Sequence, residues 1–168
     1  MDSKTLGLGY TSVDVVGGEN SLVADTTAIN NNDIMINGQS IMAVGETWTG
    51  NTDDMDELID KINTNVNGVT ASTIASATAT DVGDGILAET ETFKVDVKKL
   101  DGTTTSVEVT DTENMDQLVD KLNAEGGGLI SASVGDDGKL TITAENVESL
   151  TFTDGGSGAN GAGGTLAT

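Results

Sequence analysis

One nine-residue pattern occurs twice in this chain, at 55–63 and at 115–123, with a constant offset of 60 residues. Met, Asp, Leu, Asp, Lys and Asn keep their places in both copies, and apolar residues recur at i, i+3, i+4 and i+7. That spacing places four apolar side chains on one face of an α-helix. The four are Met55, Leu58, Ile59 and Ile62 in the first copy, and Met115, Leu118, Val119 and Leu122 in the second. The sequence therefore predicts two short amphipathic helices, over about 54–64 and 114–123, and each needs a sheet against which to bury its apolar face.

The residues around each predicted helix start fit an amino-terminal cap. Asp54 and Asn114 come directly before the first apolar residue, and Glu57 and Gln117 follow three positions later. A short polar side chain followed three residues on by Glu or Gln is the pattern of a capping box. We expect Asp54 and Asn114 to cap the two helices.

Turn sequences separate short β-rich segments on both sides of the helices. Asn-Gly at 37–38, Asp-Gly at 101–102 and Asp-Asp-Gly at 136–138 lie between apolar residues that alternate with polar ones, and residues 147–152 add an edge strand. The order strand, strand, helix, strand, strand thus occurs twice. We expect an α+β fold of two tandem β-β-α-β-β units, each a small antiparallel sheet covered by one short helix, with extra N-terminal strands.

The same pattern divides the chain into four parts. Residues 1–32 are expected to be a lead-in segment with short strands, including a weak strand pattern at 5–16. Residues 33–92 form the first predicted unit and residues 93–154 the second. Residues 155–168 are rich in Gly and offer little to bury, so we predict an exit linker there.

Charge and residue types exclude several functions. The chain has 28 acidic and 7 basic residues, all seven of them Lys, and a net charge of −21. Such a surface repels nucleic acid and anionic membranes, so we expect neither as a partner. The absence of Cys, His and Arg excludes thiolate and imidazole metal sites, catalytic triads and arginine clamps. The first residues lack the basic start of a secretory signal, and no apolar stretch reaches the ~18 residues of a membrane span.

Carboxylates are the remaining groups with catalytic or metal-binding chemistry. Two carboxylates about 5–10 Å apart can drive glycoside hydrolysis, but only Trp48 and Tyr10 could offer a sugar an aromatic platform. The Gly-rich stretch 155–161 resembles a dinucleotide-binding pattern but has no helix after it, and it resembles a calcium-binding nonapeptide but occurs only once. Residues 51–56 lack the central Gly and the distal Glu of an EF-hand loop. We expect no enzyme, no catalytic residue, no cofactor and no metal site.

Both units resemble the "IN" motif of flagellins and hook-associated proteins. In the first unit the matching segments are INGQSI at 36–41, IDKIN at 59–63 and NGVTAS at 67–72. In the second unit they are KLN at 121–123, LISAS at 129–133 and DGKLTI at 137–142, while KLDG at 99–102 stands in place of the Ile-Asn-Gly opening. Together the two copies cover residues 33–152.

This resemblance implies a structural role. In flagellins such segments form variable outer domains (of the D2 or D3 type) on the filament surface, and the helical ends that polymerise the filament are not seen in this sequence. The resemblance implies a surface-exposed outer domain that decorates the extracellular filament used for motility and is exported through the flagellar channel without a cleavable signal peptide. Its partners would be neighbouring flagellin subunits, and the isolated domain would be monomeric. A hook-associated or filament-cap domain, and an independent acidic adhesin or calcium-binding module, remain open alternatives.

Overall fold

The chain folds into a mixture of helices and short antiparallel strands, which confirms the α+β class. The computed structural model describes residues 27–50 and 52–166. Helices α1 (Met55–Asn65) and α2 (Met115–Gly126) lie where the repeated pattern predicts them. The strands are β1 (Ile29–Asn30), β2 (Met35–Ile36), β3 (Gln39–Ser40), β4 (Thr47–Trp48), β5 (Ile74–Thr78), β6 (Ile86–Leu87), β7 (Phe93–Lys99), β8 (Thr104–Val109), β9 (Thr112–Glu113), β10 (Ser131–Val134), β11 (Leu140–Glu145) and β12 (Val147–Asp154). The strand expected at 5–16 lies outside the described residues.

The part of the chain around α1 has a small core of its own. Strand β1 pairs with β4, and β2 pairs with β3 across a two-residue turn. Asn37 and Gly38 form that turn with φ values of 53° and 75°, as a hairpin turn of the mirror-image type requires. The buried residues of this first core are Ile29, Ile41, Met42, Trp48, Leu58 and Val66.

The part around α2 is built from two three-stranded antiparallel sheets. Their strand orders are β12-β7-β8 and β10-β11-β5. A single residue, Asn146 with φ 56°, carries the chain from β11 in one sheet to β12 in the other. Helix α2 contacts the edge strands β8 and β10, and on the opposite side the edge strand β5 contacts β12. The ring that results encloses a second, larger core, with Phe93, Leu118 and Ile142 among its buried residues.

The expected pair of self-contained β-β-α-β-β units is not confirmed. The second unit has the order β7, β8, β9, α2, β10, β11, with a short extra strand before its helix, and the first unit does not keep a hairpin after its helix. Strand β5 follows α1 in sequence and pairs instead with β11, with Ala77 opposite Ile142, and β6 pairs with β9. The inward residues of β5 are small, Ala75 and Ala77, so this strand buries little apolar surface by itself. Pairing with β11, which carries larger apolar side chains, stabilises β5.

The capping prediction is confirmed for α2 and wrong for α1. The Asn114 side chain accepts a hydrogen bond from Gln117 N (3.0 Å), and Gln117 Oε1 accepts one from Glu113 N (3.0 Å). Asp54 precedes α1 with an extended backbone, but its side chain makes no capping hydrogen bond. Its carbonyl oxygen instead accepts the Trp48 indole N–H at 2.9 Å, which ties the start of α1 to the first core.

The Gly-rich C-terminal segment packs against the second core rather than extending as a free linker. Residues 155–166, called the C-terminal strap below, are the described part of the predicted exit linker. Ala162 is fully buried in the second core, and Leu166 forms a β-bridge with Ala79. The strap therefore contributes to the fold of the second unit.

Candidate functional site

The Asn that closes the repeated pattern makes the same contact in both copies. Asn63 donates from Nδ2 to Ala71 O (3.0 Å) and accepts from Ala71 N (2.7 Å). Asn123 does the same with Ala132, at 2.9 and 2.8 Å. A side-chain amide that exchanges two hydrogen bonds with one residue imitates a neighbouring β-strand. This Asn therefore attaches the end of each helix to the backbone of the segment that follows it.

The Lys of the repeated pattern binds the segment that precedes each helix. Lys121 Nζ donates to Thr110 O (2.9 Å) and to Asp111 O, both just beyond the end of β8. Lys61 Nζ lies 3.5 Å from Glu46 Oε1, in the turn before β4. Lys and Asn together hold each helix between its two flanking segments. The recurrence of both residues is visible in the sequence, but their partners are not, because most of these partners are backbone groups, which every residue has.

A shallow concavity of about 290 Å³ lies beside α1 and is polar. Its lining residues are Glu46, Thr47, Glu57, Asp60, Lys61, Thr64 and Asn65. Glu46 Oε2 accepts hydrogen bonds from Ala43 N (2.9 Å) and Asn65 Nδ2 (3.1 Å). The Ala43 amide, followed by the Asn65 amide and Lys61, lowers the pKa of the Glu46 carboxyl. A carboxylate held ionised in this way is a poor general acid at neutral pH, and Glu46 serves to fasten the preceding loop to α1.

Two further carboxyl groups with lowered pKa values lie on the β7–β8 hairpin. The Ser106 hydroxyl and Lys94 lower the pKa of Asp96, and the Thr103 hydroxyl and amide lower that of Asp101. These donors stabilise the charged form and organise the hairpin. Within residues 27–50 and 52–166, no group of three acidic side chains is placed to hold a metal ion.

The C-terminal strap is organised around one carboxylate. Asp154 accepts three backbone hydrogen bonds, from Gly156 N (2.9 Å) and Ala162 N (3.0 Å) on Oδ1 and from Gly163 N (2.7 Å) on Oδ2. The strap in turn bonds to the chain after β5, where Gly85 N donates to Ala162 O at 2.9 Å. A second shallow concavity, of about 300 Å³, opens beside this loop. With its oxygens engaged by three amides, Asp154 serves as an anchor for the strap.

The glycines of the strap allow a close approach between backbones. A Cβ atom at Gly164 would lie 2.2 Å from Asp81 O, and one at Gly158 would lie 2.2 Å from Asp84 Oδ2. At Gly163 the nearest atom would be Phe93 Cε2, at 2.4 Å. At Gly164 the neighbour is a backbone oxygen and at Gly163 it is a buried ring, so a side chain at either position would force the structure to shift, whereas the exposed Asp84 side chain near Gly158 could move aside.

Trp48, one of the two aromatic residues considered for sugar binding, offers no platform. Trp48 is 1 % exposed in the first core, so its ring face is covered. Tyr10 lies outside the described residues.

The chain matches no protein-family model, no curated protein and no solved structure. Across residues 27–50 and 52–166, no helix has the length and apolar character needed to cross a membrane. The function is accordingly inferred from the repeated motif and from the contacts that its residues make.

Proposed function

We propose that this chain is a surface-exposed outer domain of a bacterial flagellin, a structural protein without catalytic activity. The tandem motif that resembles the IN motif of flagellins and hook-associated proteins carries the proposal. The contacts of the repeated Lys and Asn support it, because both residues are used to hold a helix to its neighbours. Motif residues that hold a helix in place have a structural role rather than a catalytic one.

We also propose that the chain consists of two copies of one β-β-α-β-β unit, and that strand β5 of the first copy pairs with the sheet of the second. The matching contacts of Asn63 and Asn123 support a common architecture for the two units. Asn63 reaches a residue 8 positions further along the chain, and Asn123 reaches one 9 positions further along. In both copies that residue is an Ala within or just before a strand.

The proposed location is the outside of the flagellar filament, with neighbouring flagellin subunits as the partners. The net charge of −21 supports a solvated outer surface and opposes binding to nucleic acid or anionic membranes. In the part of the chain that the structure describes, ion pairs involve only Lys61, Lys94, Lys98 and Lys121. Most carboxylates there face solvent without a cationic partner, which favours a monomer for the isolated domain.

Immunogold electron microscopy on cells that make the protein tests the proposal. Antibodies raised against the 168-residue chain should label flagella along their whole length. Label confined to the filament tip would favour a filament-cap protein, and label at the hook–filament junction would favour a hook-associated protein. Label on the cell surface away from flagella would contradict the proposal and favour the adhesin. Pre-absorbing the antibody with the purified chain should abolish specific label and serves as the control.

A further inference from the structure

A short segment joins the first core to the second core. In the described part of the chain the two cores have no buried residue in common. The joining segment, residues 66–73, starts in the first core, where Val66 is buried and Val69 packs against the other core residues. It ends at β5, which pairs with β11 of the second unit. Units with separate cores move relative to one another unless something holds them, so the orientation of the first core depends on how this segment is fixed.

Hydrogen bonds fix the joining segment to both units at nearly the same point. Ala71 exchanges two hydrogen bonds with Asn63, close to the end of α1. Shortly after it, Thr73 Oγ1 donates to Val147 O (2.7 Å), where the chain enters β12. Only Ser72 lies between these two attachments, and it is exposed. A single residue has only two soft backbone dihedrals, so little rotation remains between the units.

We propose that Asn63 locks a hinge between the two units and so holds the first unit in one orientation relative to the second. With the Asn63 amide bonded to Ala71, the hinge is restricted to Ser72. Without that amide, all of residues 70–72 can rotate, since Val69 is the next residue held by the first core. Hinges of a few loop residues are sufficient for movement of one unit against another. This inference is independent of the proposed function, because it concerns the joint between the units and not their location.

A charge attraction also acts between the two units. Lys98 Nζ donates to Glu148 Oε1 at 2.6 Å, and this hydrogen bond raises the pKa of the Lys98 amine. The negative charge of Asp54, the residue before α1, adds to the rise. The Lys98 side chain is 46 % exposed, and attraction between exposed charges contributes little to holding a structure together. We therefore assign the fixed orientation to Asn63, and Lys98→Gln distinguishes the two contacts.

The distance between two spin labels on the full chain tests the proposal. The chain contains no Cys, so labels attach only where Cys is introduced. Asp60 in α1 and Asp120 in α2 are exposed and occupy equivalent positions of the repeated pattern, so Asp60→Cys combined with Asp120→Cys reports on the orientation of one unit relative to the other. Double electron–electron resonance should give a single narrow distance peak in the chain with these two changes alone. Adding Asn63→Ala should abolish that peak and leave a broad distribution.

The second copy of the motif supplies a matched control. Asn123→Ala removes the same two hydrogen bonds, but Ala132 and α2 belong to one unit, so the narrow peak should remain. Ala is a better helix former than Asn, so neither helix is weakened by its own propensity. In Asn63→Ala, amide exchange at Ala71 should become about tenfold faster because one backbone hydrogen bond is lost.

Fluorescence of Trp48, which is buried in the first core, distinguishes hinge motion from unfolding and should be the same in Asn63→Ala as in the unmodified chain. If Asn63→Ala disrupts that core, Thr73→Val replaces it, since this change removes the bond to Val147 O on the other side of the hinge and should also broaden the distance peak. The proposal is overturned if Asn63→Ala keeps the narrow peak while the Ala71 amide exchanges freely, or if Asn123→Ala broadens it equally. It is also overturned if Lys98→Gln alone broadens the peak, or if the peak is already broad before Asn63 is changed.

Discussion

Substituting Gly163 by Ala tests whether the C-terminal strap is part of the folded core. The new Cβ would lie 2.4 Å from Phe93 Cε2, 2.9 Å from Phe93 Cζ and 3.2 Å from Leu140 Cδ2. Phe93 and Leu140 are both 0 % exposed, so neither side chain has open space into which it could move. Adding a methyl group to a filled core costs about 1–3 kcal/mol, and the closeness of the Phe93 ring places this change at ~2–3 kcal/mol.

Urea unfolding followed by far-ultraviolet circular dichroism measures that cost. Trp48 fluorescence reports on the first core in the same titration, and Gly163→Ala should leave any separate transition of that core unchanged. Ser157→Ala is the control within the strap, because Ser157 is exposed and surface substitutions change stability by about 0.5 kcal/mol or less. If Gly163→Ala is as harmless as Ser157→Ala, the strap is not packed against Phe93, and the linker prediction is restored.

Three further predictions concern the cores and the charges. Leu118→Ala, at a fully buried position in the larger core, should cost about 3–5 kcal/mol, and Leu58→Ala, at a position 8 % exposed in the smaller core, about 2–3 kcal/mol; equal costs in urea unfolding would contradict the described difference in burial. The pKa of the Glu46 carboxyl is lowered from its usual 4.5. The stability that ionised Glu46 contributes to the folded state is therefore present above that value and is lost as the pH falls through the folded-state pKa. The stability advantage of the unmodified chain over Glu46→Gln should therefore shrink below about pH 4.5, and an advantage that grew in acid would refute this. The melting temperature should rise between 0.1 M and 1 M sodium chloride as repulsion is screened, with calcium adding no more than magnesium; a calcium-selective rise at micromolar metal would favour the calcium-binding alternative.

Features that depend on neighbouring residues were predictable from the sequence. The helices follow from apolar residues spaced 3 and 4 apart, and α1 and α2 lie at the predicted positions. The β7–β8 hairpin turns at Asp101-Gly102, where Gly102 has φ 79°, and the β10–β11 hairpin turns at 136–138, where Gly138 has φ 77°. In each case the turn and both strands are close in sequence, so local preference and final structure agree.

Features that depend on distant partners were not predictable in this way. The Ala- and Thr-rich sequence of β5 is typical of a strand but contains nothing that selects β11 over a nearer partner. The abundance of Gly at 155–168 predicts a linker because Gly has no side chain to bury, although the same lack of a side chain permits the close backbone packing of the strap. The recurrence of Asn63 and Asn123 was visible, but their partners contribute only backbone groups, which every residue has.

The pairing of β5 with β11 sets an order in which the chain can fold. Thr78 in β5 meets Thr141 in β11 across 63 positions, and Thr80 meets Thr165 of the strap across 85. Closing such long loops is slow compared with forming a hairpin. The residues of the first core precede β5 in sequence, so that core can form early during synthesis. The uncharged β5 must then remain without its partner strand until β11 has been made, and among the described strands it waits longest, open to incorrect pairing.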